Sequence, residues 1–395
     1  MYPNRPIWAE VDLSAIRDNL LAVRRRVGPA VKVMAVVKSD AYGHGKLQVA
    51  RTLDPYADWF GVSFVDEGVE LRQAGFDQPI LCLVTPLSDE LDAVIKYRLT
   101  PVLSDAELAA HLGERLTRMG WTGAYRQTRG GTRGLNPLSY PLFPVHVKVD
   151  TGMGRLGVWH SEAADVVARI EAVPGVHVAG LMTHFPLADG EDKSFAGEQL
   201  GRFARVRREL EKMGLKPELC HAANSAAVAD LPESFLDMVR PGLALYGSYS
   251  SPHVTRNLGI RTAIALRARI ATVKTLPAGT TVSYGRNHRL GRDTPVGVLP
   301  LGYADGWRRS LSGRAEALVR GERRAIIGTI CMDMCMVDLG GLGEVAPGEV
   351  VTLLGRDYSG SKIEVEEVAR WMDTIPYEVT CGLSERVPRH YLRTE

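Results

Sequence analysis

Apolar and polar positions follow two rhythms along the first 240 residues. Short runs of apolar and β-branched residues, of strand length, recur near residues 31–38, 58–64, 79–85, 100–103, 144–150, 178–184, 219–224 and 237–240. Amphipathic stretches with helical spacing fall between most of them, at 46–53, 66–74, 88–97, 105–118, 161–172 and 195–213. Ahead of this series, residues 8–13 predict a short strand, and Asp12 or Ser14 can cap a helix over 15–26. Eight strands with crossover helices over about 240 residues predict a (β/α)8 TIM-like barrel, whose typical size is about 250 residues. An open doubly wound sheet ranks second, because no GxGxxG follows an early strand.

The pattern changes after about residue 255. Segments 264–273, 297–301, 317–319, 326–338 and 349–354 are rich in valine and isoleucine and are separated by Gly/Pro turns. They predict a mostly-β C-terminal domain with one helix near 365–372. The expected division is therefore 1–255 and 256–395, with residues 1–12 available to pair with the β domain. One segment breaks the rhythm: 122–140, with Arg126, Arg129, Arg133 and four glycines, has no periodicity and reads as a surface insertion.

Composition narrows the class. At 395 residues, 45% hydrophobic and 24% charged, the chain is an ordinary globular protein long enough for two domains. With 48 basic and 46 acidic residues the net charge is +2, which asks for neither nucleic acid nor a membrane surface. The 10 histidines show no HExxH or comparable metal-ligand pairing, so no metal is expected. Five cysteines (82, 220, 331, 335 and 381) are few and odd in number, which predicts reduced thiols in a cytoplasmic protein. The amino terminus lacks the apolar core of a signal peptide, and no run of 18 apolar residues occurs.

In barrel enzymes the chemistry gathers where strands end. The first strand runs into Met34-Ala-Val-Val-Lys38-Ser-Asp-Ala-Tyr42-Gly-His44-Gly45, so a lysine closes a buried strand and two glycines allow a sharp turn. Lost hydration there lowers a lysine's pKa toward the range of a neutral nucleophile, although a strand-end lysine can also simply reach for the rim. Alternation places His146, Lys148 and Asp150 on one face of their strand, after which Thr151-Gly-Met-Gly-Arg155 presents an arginine. Later strands end at His184, at Asn224-Ser225 and at Arg240-Pro-Gly242. Singly, each has an ordinary reading: a structural histidine, a helix cap at Ser225, rim ion pairs for Arg155 and Arg240. Together they make the set a pyridoxal phosphate site needs. That site requires a lysine for the aldehyde, hydroxyls and N–H groups for the phosphate, and one group to set the electronics of the ring nitrogen.

Nearly the whole chain, from Ala9 to Arg389, resembles the alanine racemase family. The resemblance implies pyridoxal 5'-phosphate as cofactor, with Lys38 as its Schiff-base lysine and Arg240 facing the pyridine nitrogen. Tyr42, His184, Ser225, Gly242, Leu243 and Tyr377 complete the cofactor set. Arg155 matches the arginine that binds the substrate carboxylate, and Lys148 matches a lysine that carries a carbamate in many members. The alternative for Lys148 is an ammonium neutralised by Asp150. Thr281-Val-Ser-Tyr284-Gly matches the motif of the second catalytic base, and Tyr303, Met332 and Asp333 match loops lining the substrate site. By the same analogy these second-domain residues reach the active site of the other subunit in a homodimer.

The implied activity is interconversion of L- and D-alanine, supplying D-alanine for peptidoglycan. Racemisation needs a base on each face of Cα, here Lys38 and Tyr284. A free tyrosine ionises near pH 10, so the site must stabilise phenolate, and His184 in contact with Arg240 is a plausible relay. A broad-specificity racemase differs only in pocket size. A decarboxylase on the same fold places an acid opposite the ring nitrogen, and a non-catalytic cofactor carrier lacks the β domain. This chain departs from the family at Ser39 (usually alanine), in the longer 122–140 insertion, and at Thr329, Met334 and Leu187. The last three bear on the access corridor and hence on substrate selectivity.

Overall fold

The computed structural model describes residues 5–121 and 142–392; the 122–140 insertion lies outside them. The first strand, β1 (Ile7–Asp12), leads into a helix over Leu13–Val27, and Asp12 caps it by accepting from the Ala15 N–H at 2.9 Å. The next strands are β2 (Lys32–Val36), β3 (Trp59–Val62), β4 (Ile80–Cys82), β5 (Thr100–Leu103) and β6 (Phe143–Asp150). They are followed by the two-residue β7 (Val158–Trp159), then β8 (Val176–Met182), β9 (Leu219–His221) and β10 (Met238–Val239).

The barrel runs in the order β10-β2-β3-β4-β5-β6-β8-β9, all parallel, and β7 pairs with β6 beside it. Closure comes from backbone bonds between the ends of that series: Asp237 N–H to Cys220 O at 3.0 Å and Arg240 N–H to Ala223 O at 2.9 Å. All eight expected strands are present. Most of the expected segments overshoot the ladders by one to three residues, because Lys38, Phe64, His184 and Asn224 already lie in the connections. Met34, Trp59, Leu81, Val102, Met182, Leu219 and Met238 pack together as the plug inside the barrel, while the larger core fills the space between strands and helices.

The second sheet adds β11 (Ile264–Arg269) and β12 (Thr272–Leu276); β13 (Thr281–Val282) and β14 (His288–Arg289) form a hairpin of their own, and β15 (Thr294–Leu299) returns to the sheet. Then come β16 (Glu316–Val319), β17 (Glu322–Ile327), β18 (Cys335–Asp338), β19 (Val350–Arg356), β20 (Lys362–Ile363) and β21 (Arg389–Leu392). Its order is β12-β15-β18-β17-β16-β19-β11-β1-β21, with β20 on β19. The amino-terminal strand therefore belongs to this sheet, antiparallel to β11 and parallel to β21.

Two expectations need correction. Segment 264–273 is two strands at different places in the sheet, because Ile270 N–H bonds to Glu349 O while Ala271 N–H bonds to Val298 O. Segment 326–338 is likewise broken between β17 and β18. Gly328 takes φ 71 there, and a turn closes with Cys331 N–H donating to Met334 O. The helix Val365–Met372 lies where the periodicity puts it, whereas the short helices Ser225–Asp230 and Pro376–Cys381 carry no such signal.

Candidate active site

At the carboxyl end of the barrel strands lies a cavity of about 550 Å³. It collects Lys38, Tyr42, Lys148, Arg155, His184, Ser225, Arg240, Gly242, Leu243 and Tyr377, every predicted site residue except four in the second sheet. Four of these are basic, and no carboxylate is among the described lining residues. Such a cavity favours an anionic ligand.

Lys38 leaves β2 into an unusual turn. Ser39, Asp40, Ala41 and Tyr42 all sit in the left-handed region, with φ from 51 to 56 and ψ from 38 to 53. For L-residues this costs about 1–2 kcal/mol each, so the turn persists only where its surroundings over-determine it. Burial lowers the Lys38 pKa, and the neighbouring Arg155 charge lowers it further.

Tyr42 packs its ring on Tyr246, at 4.9 Å between centroids, and near Tyr377, at 5.8 Å. Its hydroxyl lies over Gly242, where an added Cβ would come within 2.2 Å of it. Burial raises the pKa of both phenols, to about 12 for Tyr377, so each stays a donor at neutral pH. The reading of Ser225 as a helix cap is overturned. Asn224 caps that helix through the Ala227 N–H, and Ser225 Oγ instead accepts from Gly242 N–H at 2.9 Å and Ala244 N–H at 3.1 Å. The Ser225, Tyr42 and Tyr377 hydroxyls thus gather beside Gly242 and Leu243 around one space, a donor set suited to a phosphate.

Arg240 is buried and, among the described residues, pairs with no carboxylate, which overturns the rim ion-pair reading. It donates to Thr183 O at 2.7 Å, Ala222 O at 3.0 Å, His221 Nδ1 at 2.8 Å and His184 Nδ1 at 3.3 Å. Because His221 accepts at Nδ1, its Nε2–H donates onward to His146 Nδ1 at 2.8 Å. Burial, with Arg240 as the next cause, holds all three imidazoles neutral, His146 at about 3. Burial also brings Arg240 down to about 9, still charged at neutral pH. The site therefore offers a fixed guanidinium steadied by neutral acceptors.

Lys148 is buried on β6, and its pKa falls to about 8, through desolvation first and then Arg155 and Arg240. Asp150, the expected counter-ion, spends its carboxylate on the N–H groups of Gly152 at 2.8 Å and Gly154 at 2.9 Å. Among the described residues no carboxylate forms an ion pair with Lys148 or with Arg155, which stands exposed.

Tyr284, Tyr303, Met332 and Asp333 do not line this cavity in the single chain. They sit on loops tied to one another: Thr329 Oγ1 donates to Tyr284 O at 2.8 Å, Tyr303 N–H to Cys331 O at 3.0 Å and Ala304 N–H to Met332 O at 3.0 Å. Their apolar side chains face outward, with Tyr284 72%, Met332 54% and Tyr303 40% exposed. Asp333 pairs with Arg386 at 2.6 Å. Sequence reasoning missed three groups that touch the site's framework: Glu67, whose carboxylate accepts from the Ser39 N–H, Cys381 in the cavity wall, and Arg389, which holds Gly43 O. Only Glu67 carries a usable signal, an acidic residue in the first turn of a predicted helix.

A closed parallel barrel with a strand-end lysine, a phosphate-type cradle and a buried arginine, joined to a β sheet, has the donor set of a pyridoxal phosphate-binding barrel protein. Family models described as the N-terminal and C-terminal domains of alanine racemase match residues 11–250 and 263–391. Alanine racemase of Desulforamulus reducens is 41% identical, covering 98% of this chain and 99% of that protein. The alanine racemase of Halothermothrix orenii is 39% identical, covering 98% and 97%. Among solved structures, alanine racemase from D-cycloserine-producing Streptomyces lavendulae superposes with a TM-score of 0.88 at 35% identity, covering 99% of this chain and 98% of that one. The chain belongs to the alanine racemase family, whose members depend on pyridoxal phosphate.

Proposed function

We propose that this chain racemises alanine by a two-base mechanism. The observation that carries the reading is the cavity itself: a strand-end lysine with a lowered pKa, a buried arginine, and no carboxylate among the described lining residues. Pyridoxal phosphate, when bound, supplies the electron sink that acidifies the Cα–H of an amino acid. The residues present fit that group. Lys38 Nζ would hold its aldehyde end; Ser225, Gly242, Leu243, Tyr42 and Tyr377 would hold its phosphate.

Arg240 would meet the ring nitrogen. As a guanidinium it donates without releasing its proton, which favours a weak sink over the strong one a carboxylate partner gives. A decarboxylase-type site would need that acid, and none lines the cavity among the described residues. Arg155 orients the substrate carboxylate, Lys38 moves a proton on one face of Cα, and Tyr284 moves it on the other. His184, touching Arg240, is our candidate for a relay to that tyrosine.

Tyr284 reaches the site from a second copy of the chain in a homodimer, together with Tyr303, Met332 and Asp333. Its exposure on linked loops outside its own chain's cavity supports this reading. We divide the chain near residue 255, with β1 returned to the second sheet. No helix among the described residues is long and apolar enough to cross a membrane, and we assign the enzyme to the cytoplasm, where it supplies D-alanine for peptidoglycan. The test is deuterium uptake at Cα from D2O. Lys38→Ala is expected to abolish it from both enantiomers, and Tyr284→Phe to abolish exchange from one enantiomer while cofactor stays bound. Near-normal racemisation by Tyr284→Phe would refute the two-base assignment.

A further inference from the structure

The four-residue left-handed turn after Lys38 is held from outside at both ends. We propose that Glu67 and Arg389 are positioning residues that clamp this turn, and through it Lys38, in its left-handed form. The proposal rests on the reading that Lys38 and Tyr42 hold opposite ends of the cofactor.

At the front of the turn, the Ser39 N–H donates to Glu67 Oε1 at 2.6 Å. The other oxygen of Glu67 accepts from Ser63 N–H at 2.7 Å and Phe64 N–H at 3.3 Å, so the carboxylate is fixed to the start of the helix Val65–Gln73. At the rear, Arg389 Nε–H donates to Gly43 O at 3.1 Å. Its remaining N–H groups bond to Ser384 O at 2.6 Å, Val387 O at 2.7 Å and Leu383 O at 2.8 Å, so the guanidinium is itself immobile. Between them, Asp40 Oδ1 accepts from Lys46 N–H at 2.7 Å. Gly43 lies so close to the helix Pro376–Cys381 that a Cβ there would stand 2.2 Å from Thr380 O.

Left-handed backbone is uphill for each of Ser39, Asp40, Ala41 and Tyr42, so a turn without these partners relaxes toward the right-handed form. Relaxation turns the Ser39 N–H and Gly43 O away from their present directions and moves Tyr42 relative to Lys38. The Tyr42 hydroxyl would then leave its seat over Gly242, and the two ends of the cofactor site would no longer match. Arg389 belongs to β21 of the second sheet, so this contact also makes the barrel's lysine depend on the other sheet.

Arg389→Ala alone can weaken its own loop, whose carbonyls it also holds. The deciding variant is the double substitution Arg389→Ala with Ser39→Gly, since glycine takes positive φ without steric cost. In the cofactor-free full chain, Arg389→Ala is expected to speed amide hydrogen exchange over residues 38–46 and to weaken pyridoxal phosphate binding, each by about tenfold. Adding Ser39→Gly should recover most of both. Glu67→Ala should show the same two losses and the same rescue. Unchanged exchange over 38–46 in Arg389→Ala, or failure of Ser39→Gly to restore it, overturns the clamp and leaves Arg389 a support of its own loop. Wild-type chain that takes up no pyridoxal phosphate would sink the functional reading instead, and the exchange measurement would still judge the clamp.

Discussion

Lys148 should carry CO2 in the working enzyme, and the structure sets the scale of that expectation. Burial first, then the charges of Arg155 and Arg240, bring its pKa from 10.5 to about 8. At pH 7 roughly one such amine in ten is neutral, against about one in three thousand for an ordinary lysine. Only the neutral amine attacks CO2: the N–C bond forms, a proton leaves to solvent, and a carbamate with two acceptor oxygens remains. That exchanges a cation for an anion among Lys38, Arg155 and Arg240. For a pair about 4 Å apart at an effective dielectric of about 20, reversing one charge turns about 4 kcal/mol of repulsion into about 4 kcal/mol of attraction, a change of about 8 kcal/mol before desolvation and solvent screening are subtracted. Asp150 offsets the repulsion only in part: it raises the Lys148 pKa less than burial, Arg155 and Arg240 lower it, and its oxygens hold the Gly152 and Gly154 N–H groups. The rate of carbamylation at fixed dissolved CO2 should therefore rise with pH up to about 8 and then level, as the neutral amine becomes the main form. A 13C resonance from labelled CO2, absent in Lys148→Ala, is the direct measure. In CO2-depleted buffer the KM for alanine should rise about tenfold, more than kcat falls, because Arg155 loses its anchor. Short carboxylates should partly restore Lys148→Ala. No labelled signal, no CO2 dependence and no rescue would together refute the reasoning.

Three further outcomes are expected. Mixed subunits of Lys38→Ala and Tyr284→Phe, each inactive, should regain roughly one working site per heterodimer on exchange; confirmed exchange with no recovered activity would place both bases in one chain. Gly242→Ala, whose Cβ would stand 2.2 Å from the Tyr42 hydroxyl, should weaken pyridoxal phosphate binding more than tenfold at nearly unchanged melting temperature, as equilibrium titration would reveal. His177, on β8, is raised to about 10 by hydrogen bonds to Glu171 at 3.0 Å and Glu218 at 2.8 Å. Because its folded pKa lies above the unfolded value, its contribution is whole below about pH 6.5 and fades as pH climbs through about 10. His177→Gln should thus cost on the order of 1–2 kcal/mol at pH 6 and far less at pH 10.5, and equal losses at both pH values in denaturant melts would contradict it.

The barrel was legible because its strands are buried on both faces and read as apolar runs; Lys38, Lys148, His184, Ser225 and Arg240 were legible because strand ends can be counted, while Tyr377 was reached through the family resemblance. What stayed hidden depends on contacts distant in sequence. The break at Ile270–Ala271 is invisible in an unbroken β-branched run, since only the partners Glu349 and Val298 divide it. Ser225 looked like a cap because Asn224 before it is an equally good one, and the choice is made by Gly242 and Ala244, seventeen and nineteen residues away.

The left-handed turn shows the same limit more sharply. Nothing in Ser39-Asp-Ala-Tyr42 favours positive φ except mildly Asp40, and local propensity predicts a right-handed start to the following helix. The turn's conformation is imposed by a carboxylate 28 residues downstream and an arginine 346 residues from Gly43. A lysine poised for chemistry thus owes its place to groups that no local pattern announces. The same reasoning explains the four second-sheet residues. Tyr284, Tyr303, Met332 and Asp333 are recognisable as motifs, yet their own chain leaves them outside the cavity. An aromatic residue exposed at 72% on a loop braced by hydrogen bonds supports the proposed pairing with a second copy of the chain.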